Sequence, residues 1–236
     1  MFQRYTIRLL LRITIFVGAL ALFFIDSGLL AFDDFISTDM LLPVHVIWLY
    51  LLVEMSLRFI PLKRESRGCI KQFERFYRPA EGCGDPAAAV RRENRGAIKV
   101  AVVWIVWNSI FWALYFCEIV DRSFMLLLAL FYLVCDMLCI LYYCPFQRLL
   151  MKNRCCVTCR IFNWDMLMIC TPLLVIPSFF TWSLSLVALT LLVRWEITYR
   201  RHSKRFFEAT NRLLRCRGCT ENLCKVKGKL TKEVTR

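Results

Sequence analysis

The run "MLMICTPLLVIPSFFTWSLSLVALTLLV" (residues 166–193) decides how the chain is built. Twenty-eight helical residues reach about 42 Å, too far for one untilted crossing of about 30 Å of hydrocarbon and too short for two full crossings. Pro172 and Pro177 interrupt the run, because proline lacks an amide donor and its ring clashes with the preceding turn. The segment "IPSFFTW" (176–182) supplies a reversal. With 161–165 added in front and 194–199 behind, two arms of about 17 and 20 residues result, near the crossing length. The expectation is a tight or partly re-entrant hairpin, with a single tilted span as the alternative.

Four further apolar runs occupy residues 9–25, 41–57, 98–117 and 123–143. Backbone cannot lie uncovered in lipid, and no barrel-like alternation is present, so these runs are expected to be helices. The composition agrees: 58% hydrophobic residues and a mean hydropathy of +0.52 exceed the globular norm of about 45 to 50% apolar. The first run follows Arg4, Arg8 and Arg12 as a secretory signal would, but no small-x-small cleavage site follows, so it reads as a retained span. An all-α, polytopic membrane protein with about six segments follows.

Charge orients it. Residues 26–40 hold four aspartates and no Lys or Arg, whereas 61–99, 144–165 and 194–236 hold ten, four and thirteen basic residues. With the hairpin in place, 31 of the 32 basic residues fall on one side, leaving only Arg122. By the positive-inside rule that side is cytoplasmic, with both termini there and the chain in the inner membrane. The divisions expected are two spans in 1–60, a basic loop with an interfacial helix in 61–97, two spans in 98–143, a cysteine-rich loop in 144–165, the hairpin in 166–199 and a basic tail in 200–236. In "SRGCIKQFERFYR" (66–78), Ile70, Phe73, Phe76 and Tyr77 share a helical face. That face suits either anionic lipid or docking on protein. The +14 net charge therefore has an explanation beside the bilayer, which removes the reason to expect nucleic acid.

Of thirteen cysteines, Cys117, Cys135, Cys139 and Cys170 sit in apolar runs as small hydrophobes. The rest cluster. "CCVTC" (155–159) and "CRGCTENLCK" (216–225) each contain C-x2-C, a spacing that lets two thiolates face one ion from a tight turn. The expected metal quartet is Cys156, Cys159, Cys216 and Cys219, with Cys144, Cys155 and Cys224 in reserve. It would hold either an iron-sulfur cluster or Zn. Metal-free thiols, or thiol-disulfide exchange through Cys156 and Cys159, remain open. Because 56 residues separate the two motifs, the hairpin must bring its ends together for a shared site to form.

The runs "YYCPFQRLLMKNRCCVTCRIFNWD" (142–165) and "FFEATNRLLRCRGCTENLCK" (206–225) resemble a family of small, uncharacterised prokaryotic integral membrane proteins with paired cysteine motifs. The likeness covers about the last hundred residues. It implies no activity, only that the two cysteine clusters belong to one site.

Charges inside hydrocarbon cost at least about 2.5 to 3.5 kcal/mol and need a reason. Asp136, on one face with Tyr132, Cys139 and Tyr143, reads as a proton or cation station, as a group that hydrogen-bonds a quinone, or as an acid bonded to another helix. Glu54 has Arg58 at i+4, so an ion pair is expected. His45 lies on the opposite face from Glu54 and reads as an interfacial histidine. Asn108, among Trp104, Trp107 and Trp112, is placed for helix packing.

No phosphate loop, H-E-x-x-H, G-x-S-x-G or dinucleotide fingerprint is present, and only two histidines occur. Two functions fit. One is a membrane protein with a cytoplasmic metal site, exchanging electrons with a membrane carrier. The other is a small permease or complex subunit whose zinc is structural. Nothing in the sequence separates an enzyme from a scaffold.

Overall fold

The computed structural model describes residues 2–30, 43–60, 72–80, 86–153, 155 and 158–215. Six helices carry the fold: α1 (Phe2–Ile25), α2 (Pro43–Leu57), α3 (Pro86–Phe116), α4 (Arg122–Leu141), α5 (Asp165–Cys170) and α6 (Phe179–Arg201). Among the described residues no strand occurs; extended backbone pairs only at an isolated Pro79–Asn211 bridge.

Among the described residues four helices, not six, are long and apolar enough to cross a membrane: Tyr5–Ile25, Ala87–Phe116, Arg122–Leu141 and Phe179–Arg201. The two expected partners are shorter. Helix α2 has 15 residues and rises about 22 Å. The other, Phe162–Val175, is composite: α5 tightens into a 3-10 turn over Thr171–Val175, with Pro172 in its first turn.

Burial separates runs that look alike in sequence. Over half (56%) of the apolar window of α4 is buried, against 17% for α1 and α3, so α4 is the axis and α3 a peripheral wall. Ile98, Val102, Ile105, Val106 and Ile110 of α3 face outward, as they would toward lipid.

Neighbours run antiparallel. Tyr5 and Leu9 of α1 share a core with Val134, Met137 and Leu141 of α4, and Phe16 meets Phe131 at 6.0 Å. Phe23, Tyr115, Val120, Val175 and Pro177 gather around one groove at the far end. The chain reverses at 176–178. There the Thr181 hydroxyl bonds to the Ile176 carbonyl (2.7 Å) and the Ser178 carbonyl (3.0 Å), and the Ser178 side chain accepts from Phe180 N–H. At the other end of the same arms, the Trp164 indole donates to Glu196 at 2.7 Å. The arms therefore lie side by side, and residues 159–165 share one end of the bundle with 194–206.

Local chemistry sets the joints. Between α3 and α4 the helix ends in a Schellman turn, with Ile119 N–H on the Leu114 carbonyl and Glu118 N–H on the Tyr115 carbonyl. Glu118 occupies its left-handed position (φ 58°), where glycine is usual. Asp121 then caps α4 by accepting from Phe124 N–H at 2.8 Å.

Two expectations change. Helix α3 begins at Pro86 instead of near residue 98: Arg91, Arg92, Glu93, Arg95 and Lys99 lower hydropathy without breaking a helix that proline and alanines start well. Gly96 lets the loop after α4 (residues 142–164, here the inner loop) close on it, since a Cβ there would lie 2.7 Å from Met151 Sδ. The interfacial helix expected over 66–78 is described only from Gln72 on, which is helical, and the part after it is not α-helix. Residues 66–71 lie outside the described ones, Glu74–Phe76 is a single 3-10 turn, and Tyr77 is extended. This stretch docks on protein: Phe73 meets Trp195 edge-on at 5.1 Å, and the Tyr77 hydroxyl donates to the Thr210 carbonyl. Helix α6 stops at Arg201, with His202 as its C-cap.

Candidate functional site

Arg12 is the residue around which the polar interior forms. It lies inside "LLLRITIF" (9–16), three turns into α1, and is 2% exposed. Its Nη1 donates to Asp136 of α4 (2.7 Å) and to the Leu133 carbonyl (2.8 Å), while Nη2 donates to Glu54 of α2 (2.5 Å). The planar fork of a guanidinium serves several acceptors at once, which a lysine would not do. One cation thus joins three helices.

The i+4 pair expected between Glu54 and Arg58 is replaced. Glu54 turns inward to Arg12, and Arg58, at the end of α2, pairs with Asp165 at the start of α5. Both exchanges bring charges from distant segments together, where local spacing offered only the weaker surface-type pair. Satisfaction is incomplete: Glu54 Oε2 and Asp165 Oδ1 are buried with no hydrogen bond among the described residues.

Asp136 and Asp165 both line a cavity of about 450 Å³ between α3, α4, α5 and the inner loop. Trp104, Phe131, Tyr132, Tyr143, Phe146 and Phe162 give it aromatic walls, and Cys135, Cys139, Cys144 and Cys159 add four thiols. Tyr132, Cys139 and Tyr143 flank Asp136 on this wall, the face that helical spacing assigns to them. Phe131, Leu138 and Tyr143 are exposed, so the cavity opens sideways on the outer surface of the bundle.

The expected metal quartet does not appear among the described residues. Cys156, Cys216, Cys219 and the reserve Cys224 lie outside them. Cys159 is buried with Ala97, Val100, Met151 and Ile161. Cys155 and Cys144 are half-buried, and Cys144 Sγ accepts from Gln147 N–H at 3.4 Å. No group of three or more His, Cys, Asp or Glu among the described residues is placed to hold an ion. Cys170 is a core residue, whereas Cys135 and Cys139 are cavity-facing thiols. His45 lies at the far end, its ring edge-on to Phe180 at 4.9 Å.

The residues around the cysteine motif make the contacts that spacing alone did not reveal. Arg160 pairs with Glu196 through both Nη atoms and lies 3.7 Å from the Tyr199 ring centroid. Trp164 donates to the same carboxylate, and Asn163 donates to Gln72 at 2.9 Å. Thus "CRIFNWD" (159–165) is a clamp on α6, α2 and the 72–80 segment. Its arginine, asparagine and tryptophan were the available signal, since polar side chains at a membrane edge need partners. Asn108 does serve packing: its amide donates to the Trp104 carbonyl, and the Tyr132 hydroxyl, which accepts from Trp107, donates to its oxygen. Trp104 and Trp112 donate to the Thr171 hydroxyl and carbonyl, tying α3 to the short arm.

Comparison with protein-family models, with curated proteins and with solved structures finds no match for this chain.

Proposed function

We propose that the chain is a multi-pass protein of the cytoplasmic membrane that binds a flat, apolar electron and proton carrier of the quinone class in the cavity beside Asp136. The observation that carries the reading is the coincidence, in one laterally open cavity, of aromatic walls, two carboxylates and four thiols. Aromatic faces suit a planar ring, and carboxylates at hydrocarbon depth suit ring oxygens that gain or lose protons. An opening on the outer surface suits a ligand that arrives through the bilayer. In this reading the two short helices cross together with the four long ones, by local thinning of the bilayer and support from neighbours, and the basic end faces the cytoplasm.

The test uses full-length protein in lipid nanodiscs titrated with decylubiquinone, followed by quenching of tryptophan fluorescence. Saturable binding is expected, weakened about tenfold in Leu138→Trp, which fills the mouth. Non-saturable partitioning that is the same in both would sink the reading.

A metal site at the inner end is the second reading. It is favoured by the hairpin geometry, which puts residues 159–165 beside Glu196 and Tyr199 near the end of α6. Cys156, Cys159, Cys216 and Cys219 would then bind iron-sulfur or zinc. Anaerobically purified protein is expected to carry iron with sulfide, or one zinc, and Cys156→Ser and Cys216→Ser are expected to lower occupancy alike. Wild type without metal, or loss in only one variant, rejects the shared site.

A further inference from the structure

Two of the cavity thiols are neighbours. Cys139, in the last turns of α4, and Cys144, just beyond its end, lie close enough to interact, and both line the cavity with Asp136 and Asp165. The Gln147 N–H points at Cys144 Sγ, a donor that supports the negative charge a thiolate carries during exchange. Asp165, paired with Arg58 through Oδ2, lines the same cavity, and its Oδ1 is buried without a hydrogen bond among the described residues. Neither sulfur is locked in a core. Both are half-buried and line the cavity.

We infer that Cys139 and Cys144 form a dithiol–disulfide couple that exchanges two electrons and two protons with a quinone in this cavity. The inference rests on the binding reading above. In the forward direction Cys144 gives its proton to a wall carboxylate, and its sulfur forms a bond to a ring carbon of the quinone. The Cys139 sulfur, giving up its own proton, then attacks Cys144 Sγ. The S–S bond forms as the C–S bond breaks, and the electron pair of that bond stays on the ring. The two protons released by the thiols end on the two ring oxygens, so that two thiols and a quinone become a disulfide and a quinol with nothing left over. The reverse sequence reduces the disulfide with quinol. Asp165 is placed to relay a proton, while Asp136, held by Arg12, keeps the wall polar.

The experiment uses reduced, full-length protein in nanodiscs under anaerobic conditions, mixed with decylubiquinone. Quinol formation is read by absorbance, and cysteine pairing by mass spectrometry of peptides after alkylation. Wild type is expected to lose two thiols per quinone reduced and to yield a Cys139–Cys144 linkage. Cys139→Ser and Cys144→Ser are expected to lose quinol formation yet keep saturable binding, and Cys117→Ser, at the far end, to behave as wild type. Binding without thiol loss, or a disulfide between other cysteines, overturns the couple and leaves the binding reading standing. Absence of saturable binding removes both.

Discussion

Arg12 and Arg160 are both buried guanidinium groups gripped by carboxylates, yet they are built on different plans. Arg160 meets one carboxylate with two parallel bonds, stacks its face on Tyr199, and uses its remaining N–H on Asn94. Charge is matched one to one. Arg12 answers two carboxylates from different helices, and its own Nε and Glu54 Oε2 make no hydrogen bond among the described residues. One of those acids also looks into a cavity. A saturated pair of the first kind is architecture, whereas an unsaturated cluster of the second kind retains capacity to bind or to take up charge.

Substitution can test that contrast. The largest effect is expected from Arg12→Ala, which strands two carboxylates inside the bundle at a cost of about 3 to 5 kcal/mol. Loss of the monodisperse, folded fraction in detergent is the measurement. Replacing all three members by apolar residues of similar volume (Arg12→Met, Glu54→Leu, Asp136→Leu) is expected to recover much of that stability while abolishing carrier binding. Recovery of both would mean the cluster is packing only.

Arg160→Ala is expected to cost less, about 2 to 3 kcal/mol, because Glu196 lies near the aqueous end and can be rehydrated. Arg160→Lys should recover under half of the loss in thermal unfolding, since an ammonium cannot reproduce the fork or the stacking. Equal costs for Arg12→Ala and Arg160→Ala would erase the distinction. A neutral contact calibrates both: Trp48→Phe removes one indole bond to the Ser183 hydroxyl and is expected to cost about 1 kcal/mol. Smallest, and of opposite sign, Glu118→Gly relieves a left-handed residue and is expected to stabilise by about 0.5 to 1 kcal/mol.

The helical class was legible because hydrocarbon admits few backbone solutions, and the break near Pro177 because proline cannot continue a helix. Crossing lengths were less so: α2 and the Phe162–Val175 segment carry the apolar composition of spans without their length. The buried charge cluster was half visible. Glu54 and Asp136 stood out as acids in apolar runs, but Arg12 passed as a flanking arginine, although "LLLRITIF" surrounds it with apolar residues. Matching that lone cation to the lone acids would have found the triad. The cavity was not visible, because it depends on where α4 ends and how the inner loop folds back, contacts that no residue spacing encodes. Cysteine spacing drew attention to Cys156 and Cys159, while the described structure gives the cavity to Cys135, Cys139, Cys144 and Cys159.

The order in which the Arg12 contacts can form has a consequence for biosynthesis. Glu54 is 42 residues downstream of Arg12 and Asp136 is 124 downstream. At about 5 to 20 residues per second, the arginine leaves the ribosome roughly 2 to 8 seconds before its first counter-ion and 6 to 25 seconds before its second. Until then α1 cannot settle at its final depth without an unpaired cation, so it must wait at the bilayer margin or beside the insertion machinery. Completion of the fourth helix is thus the event that commits the first.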